Sequence, residues 1–365
     1  MLVEFSVENY RSFKERQTLS MVASNKKTGR NSNSFPMPNV KSLRLLTSAV
    51  VYGPNASGKS NLVRAMQTMR QIVLESATGM QLGSRWNIEP FRLNVDCQQK
   101  PSCFEIIFIQ DNIRYQYGFS LDQELVYEEW LIAYPKGRAQ TWFERNYRSE
   151  EQEYDWYFGR GLKGEKERIK GFVRSNSLFL SHAAQNNHPQ LGKIFIWFSS
   201  KLKLIPSKFQ GYSNFTALKF DRYTNYSDNF LKLIKGNDFG ISNGIQRLFE
   251  IGGYWINALD NGEILIIDEL DRSLHSEIST YLIKEFNNQT ANQNNAQLIV
   301  TTHDTTFLDR DIVNQDQIWF TEKDSNNSTH LYSLLDFKIR EDESLQKGYL
   351  KGRYGAVPFV SGLDS

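Results

Sequence analysis

Residues Gly53-Pro54-Asn55-Ala56-Ser57-Gly58-Lys59-Ser60 fit a phosphate-binding loop of the form G-x-x-x-x-G-K-[ST]. No other feature restricts the fold as much, because such a loop needs a strand before it and a helix after it. Both flanks are present. Ser48-Ala49-Val50-Val51-Tyr52 is an apolar run, and Leu62, Val63, Met66 and Met69 share one side of a helical pattern. The glycines let backbone wrap closely round a triphosphate, and the loop amides and helix N-terminus supply positive potential. On this chemistry Lys59 reaches the β- and γ-phosphates of ATP, Ser60 sits on Mg²⁺, and Asn61 belongs to the same cradle. A chance Gly-rich turn is the alternative, and it leaves the filled positions and correct flanks unexplained.

The 365 residues suggest about two domains' worth of chain. An aromatic content of 13% argues against broad disorder, and a formal charge of +2 leaves no strong global field toward nucleic acid or membrane. Cys97 and Cys103 are too few for a disulfide framework, and no second Cys/His pair makes a zinc site with them. Met1-Leu2-Val3-Glu4-Phe5 alternates like a strand rather than a basic leader, and no segment approaches the ~18 apolar residues of a membrane span. The expectation is a cytoplasmic protein with no membrane partner.

Strands are predicted over 2–7 and 16–22, followed by a Ser/Asn/Lys/Pro-rich surface loop over 24–44 that could cover a nucleotide. After a helix over 58–76, segments 104–110, 112–120 and 124–134 read as an antiparallel meander, which 141–146 and 154–158 extend. The charged stretch 160–174 reads as a solvated helical face, with nucleic-acid contact as the alternative. Helices are predicted over 189–201, 244–259 and 276–287, and strands over 296–301, 316–321 and 329–335.

Glu263-Ile264-Leu265-Ile266-Ile267-Asp268-Glu269 has four consecutive aliphatics, the mark of a strand buried on both faces, and ends in two acids. This is a Walker B pattern: Asp268 can hold Mg²⁺ next to Ser60, and Glu269 can orient and polarise an attacking water. An acidic strand end facing solvent is the alternative. His303 ends the next predicted strand, where it could donate to a γ-phosphate and sense its presence. A single histidine in that position is otherwise a structural residue. Asp271 follows Walker B in a surface turn or an interface loop.

This order of parts resembles the ABC-type AAA ATPase heads of the OLD-Rad50-SMC-like group. Asn9-Tyr10-Arg11-Ser12-Phe13 resembles that group's opening strand and turn, Asp268 to His275 its Walker B plus D-loop, and Thr301-Thr302-His303-Asp304 its H-switch. The C-terminal Lys347-Gly348-Tyr349-Leu350-Lys351-Gly352-Arg353-Tyr354-Gly355-Ala356-Val357-Pro358-Phe359 is similar to RloA-like and abortive-infection ATPases, some of which work beside a Toprim nuclease. The resemblance implies a head-to-head homodimer or higher homo-oligomer, each subunit offering a signature Ser-x-Gly to the other's γ-phosphate. Ser242 and Gly244 fill it in Ser242-Asn243-Gly244, with the alternative that Ser242 caps a helix. Gln185 is a weak Q-loop candidate, and an exposed helix residue is the other reading.

The expected fold is α/β: a mostly parallel sheet with an antiparallel β subdomain and a helical insert. Residues 1–76 and 241–365 would form a composite ATPase core, 77–160 the β subdomain and 161–240 the insert. No heptad run for a coiled coil is present. The expected function is an ATP-hydrolysing switch that gates a separate effector nuclease in anti-phage defence, since no nuclease carboxylate cluster stands out in this chain. A nucleotide-gated scaffold with little turnover and a repair ATPase are the rivals.

Overall fold

Five buried residues in a row, Ser48–Tyr52, cannot all face one core. Their side chains alternate: Ala49 and Val51 join one apolar cluster, Val50 and Tyr52 a second. The molecule is therefore layered on both faces of the sheet this strand belongs to. The computed structural model describes residues 1–24, 33–38, 40, 42–207, 243–272, 274–340 and 343–357.

The chain runs β1 (Leu2–Glu8), β2 (Gln17–Ser20), β3 (Ser34–Pro36), β4 (Arg44–Leu46), β5 (Ser48–Tyr52), α1 (Lys59–Glu75), α2 (Val95–Gln98) and β6 (Ser102–Gln110). It continues through β7 (Ile113–Leu121), β8 (Val126–Tyr134), β9 (Gln140–Arg148), β10 (Glu153–Phe158), α3 (Lys166–Lys170), α4 (Phe179–Gln185), α5 (Leu191–Ser200) and β11 (Leu202–Ile205). From residue 243 onward come α6 (Asn243–Asn261), β12 (Ile264–Ile267), α7 (Ser276–Asn287), β13 (Gln297–Thr301), β14 (Ile318–Lys323), β15 (Thr329–Ser333) and α8 (Leu345–Leu350).

One sheet has the order β11-β12-β13-β5-β14-β15, parallel except for the last pair. The other, β10-β9-β8-β7-β6-β1-β2, is antiparallel throughout. The expected α/β architecture is thus present. The antiparallel sheet also takes in β1 and β2, which lie far upstream of the meander. Between the sheets, α1 buries Leu62, Val63, Met66 and Met69 in the same cluster as Phe104, Trp197 and Ile266. On the far face of the parallel sheet, α6 and α7 pack Trp255, Ile256, Leu282 and Phe286 against Leu265 and Val300.

Two stretches depart from expectation. Part of 24–44 is sheet rather than loop: β3 pairs with β4, and Phe35 and Met37 are buried against Val3 and Ile109. Polar composition hid this, because Asn33 and Ser34 are buried along with Phe35 and Met37 and the stretch shows no apolar alternation. In the charged run 160–174, Arg174 is not on a solvated face. Its guanidinium donates to the carbonyls of Ser76, Ala77 and Met80, taking up acceptors at the end of α1.

Candidate functional site

The loop after β5 turns through Gly53 and enters α1 at Gly58, whose φ of 118° lies in the left-handed region. A side chain at Gly58 would strike Thr329, and one at Gly53 would strike Thr321. Ala56 takes a φ of 62° between them. No side chain caps α1, which leaves its first-turn amides available to an anion. The loop is braced from outside: Ser57 Oγ hydrogen-bonds Thr321 Oγ1 at 2.6 Å, and Thr329 Oγ1 donates to Ser57 O at 2.8 Å. Asn61 donates to Ser12 Oγ at 2.8 Å, so the N-terminal turn is tied to the same loop. Asn55 is exposed at its tip and Pro54 is partly so.

The buried Lys59 ammonium donates to Gly53 O at 2.7 Å and Pro54 O at 3.1 Å. Burial pushes its pKa down to about 8, against the opposing pull of Asp268, Asp271 and Glu269. Those three acids come from the far end of β12, yet the fold brings them to Lys59. The decisive contact is Ser60 Oγ donating to Asp268 Oδ1 at 3.1 Å across 208 residues of chain. Between the two strand tips lies β13, which hydrogen-bonds β12 on one side and β5 on the other. Its last residue, Thr301, donates to Asp268 Oδ1 at 2.7 Å and accepts from the Glu269 N–H at 2.8 Å.

Glu269 has a φ of 54°, an unusual conformation for a residue with a side chain, and its carboxylate lies 3.8 Å from Arg272. Asp271 Oδ2 accepts from the His303 N–H at 3.2 Å, while its Oδ1 is buried with no hydrogen-bond partner among the described residues. The His303 ring is exposed, and desolvation followed by the charge of Lys59 lowers its pKa. Tyr52 reaches over from β5 to donate to Asp304 O at 3.2 Å. So Lys59, Ser60, Asp268, Glu269, Asp271 and His303 lie round one end of the parallel sheet, where α/β folds place ligands. Gly244 is in the first turn of α6; Ser242 lies outside the described residues. Gln185 is exposed in α4, away from this cluster of contacts.

The family model described as "AAA domain, putative AbiEii toxin, Type IV TA system" matches residues 48–309. The chain belongs to this AAA family. The matched span holds the phosphate loop, Asp268, Glu269 and His303. No curated protein matches the chain. Among solved structures it is similar to the SMC head domain from Thermotoga maritima, with a TM-score of 0.41 and 11% identity over 93% of this chain and 99% of that one.

The donor set of this AAA domain suits a magnesium–nucleotide. Among the described residues no three His, Cys, Asp or Glu side chains cluster as a metal site. A hard cation that keeps several waters needs only one or two protein oxygens beside phosphate. Ser60 and Asp268 offer two, and the uncapped helix and the Lys59 ammonium would supply positive charge to the phosphates. In the sequence Thr301 has a place in the H-switch pattern but no role of its own, and nothing there points to Thr321 or Thr329. Threonine at a strand end is common, and only the strand order shows what these three touch. Among the described residues no helix is long and apolar enough to cross a membrane.

Proposed function

We propose that the chain is an ATP-hydrolysing switch of the ABC type, working as a homodimer in the cytoplasm. The observation that carries this reading is the Ser60–Asp268 hydrogen bond, which joins the phosphate loop to the Walker B acids. When bound, Mg-ATP supplies the transferable phosphoryl group and the charge of the metal. Lys59 would pair with the outer phosphates, and Ser60 and Asp268 would hold the metal. Glu269 would orient water and receive its proton, after its carboxylate leaves Arg272. That exchange costs little, because both side chains of the ion pair are more than a third exposed, at 37% and 48%.

His303 would donate a hydrogen bond to the γ-phosphate, its backbone held by Asp271. The lowered pKa supports a neutral ring able to donate from one nitrogen. Ser242 and Gly244 would meet the nucleotide of the partner subunit. On this reading residues 1–76 and 241–365 form the ATPase core round the subdomain 77–160 and the insert 161–240. RloA-like and abortive-infection membership, and a separate effector nuclease of Toprim type, rest on the C-terminal pattern. The family description, which joins an AAA domain to a toxin system, supports a regulatory task of that kind.

The test is Glu269→Gln. The variant should bind ATP, accumulate as dimers by light scattering and lose turnover by about 100-fold or more. Unchanged turnover would refute the role of Glu269.

A further inference from the structure

We infer that Thr301 is a positioning residue for hydrolysis, one that sets the Walker B acids through a single hydroxyl; this rests on the ATPase reading above. Three consecutive residues hang on it. Its Oγ1 donates to Asp268 Oδ1 at 2.7 Å, the same Oγ1 accepts from the Glu269 N–H at 2.8 Å, and its carbonyl accepts from the Leu270 N–H at 3.0 Å. Thr301 is fully buried, so water does not compete for these bonds.

The backbone it holds is the part that needs holding. Glu269 has a φ of 54°, which a residue with a Cβ adopts only when its surroundings impose it. The hydroxyl binds that peptide from one side and fixes Asp268 from the other. Asp268 Oδ1 therefore takes two donors, Ser60 from the phosphate loop and Thr301 from β13. With that oxygen anchored, the carboxylate keeps one rotamer, and the side chain of Glu269 leaves the backbone in one direction. Thr301 owes this place to the strand order: β13 lies between β12 and β5, so its tip is wedged between the two halves of the site.

Valine matches threonine in shape but has no hydroxyl. Thr301→Val would leave the Glu269 N–H without its acceptor and free Asp268 to rotate. The full-length chain should be assayed for ATP turnover and, separately, for binding of a fluorescent ATP analogue. Positioning predicts a kcat lower by about 10–100-fold, the size seen when groups behind a metal site are removed. KM and analogue affinity should stay within about threefold, and Thr301→Ser, which keeps the hydroxyl, should restore kcat to within about threefold. In a Glu269→Gln background Thr301→Val should cost less than in the wild type, since the share of its effect that passes through the Glu269 carboxylate is already lost.

Turnover in the wild type with undiminished kcat in Thr301→Val would overturn this inference alone. Loss of kcat and affinity together, with serine no better than valine, would also overturn it and assign Thr301 to packing. If the valine variant does not fold, Thr301→Ser decides: a tenfold lower kcat overturns the inference, and a rate near wild type upholds it. A wild-type chain that binds the analogue without turnover would overturn both readings.

Discussion

Replacing Arg145 by methionine should reveal how the antiparallel sheet is held to the start of α4. Arg145 and Glu129 are both fully buried, with 3.8 Å between Nη1 and Oε2. Glu129 also accepts from Tyr117 Oη at 3.0 Å and from the amides of Phe179 and Leu180, at the start of α4, at 2.7 and 3.0 Å. Arg145 donates to Ser177 O at 2.7 Å and Arg174 O at 3.1 Å, and its guanidinium lies 3.9 Å from the centre of the Tyr154 ring. Two charges at this separation attract by about 4 kcal/mol at an effective dielectric of about 20. Losing one partner of such a pair strands the other charge, so Arg145→Met should cost about 3–5 kcal/mol near neutral pH.

The pH dependence follows from Glu129. Burial raises its pKa, and Arg145 is the largest influence holding it down. A carboxyl raised in the folded state binds a proton there before the unfolded chain does, so it favours folding as pH falls through the folded pKa. Without Arg145 that pKa climbs further, and the penalty of the variant shrinks on acidification. Urea unfolding followed by tryptophan fluorescence, at about pH 7 and about pH 5.5, measures both. In a Glu129→Gln background the same replacement should cost at least about 2 kcal/mol less, because no buried carboxylate is left behind. A cost that is equal at both pH values and in both backgrounds would refute the electrostatic account and leave packing in its place.

Two further outcomes are expected. Affinity for a fluorescent ATP analogue should fall as pH rises from about 7 to about 9, because free Lys59 loses its proton at about 8 and phosphate needs the charged form; Lys59→Arg should abolish the slope, and a flat wild-type profile would contradict the assignment. Gln297→Leu should lower the urea midpoint by an amount worth about 3 kcal/mol, because buried Gln297 accepts from Leu2 N–H and donates to the carbonyls of Leu2 and Leu46, and each of these left bare costs about 1–3 kcal/mol. An unchanged midpoint would show that water or a shifted backbone replaces those bonds.

Much of the architecture was legible because its periodicities are strong. The aliphatic run Ile264–Ile267 is buried on both faces of the parallel sheet, as four consecutive branched residues imply. Strands 104–134 alternate closely enough to read as a meander, and they pair in that order. The hairpin at 34–46 was not legible, since a polar stretch with two inward side chains, Phe35 and Met37, gives no clear period. Nor was the work of Arg174, because a cation among glutamates looks the same whether it meets solvent or three carbonyls.

By itself the order of residues determined the phosphate loop and the acidic strand end, because each is a local pattern whose chemistry is carried by neighbours in the chain. It could not say that β13 would lie between them, nor that Thr301 would touch Asp268 and Glu269 at once. Those contacts depend on which strands lie side by side. That is decided by how α1, α6 and α7 cover the two faces of the sheet, a property of the packed whole that no window of sequence contains.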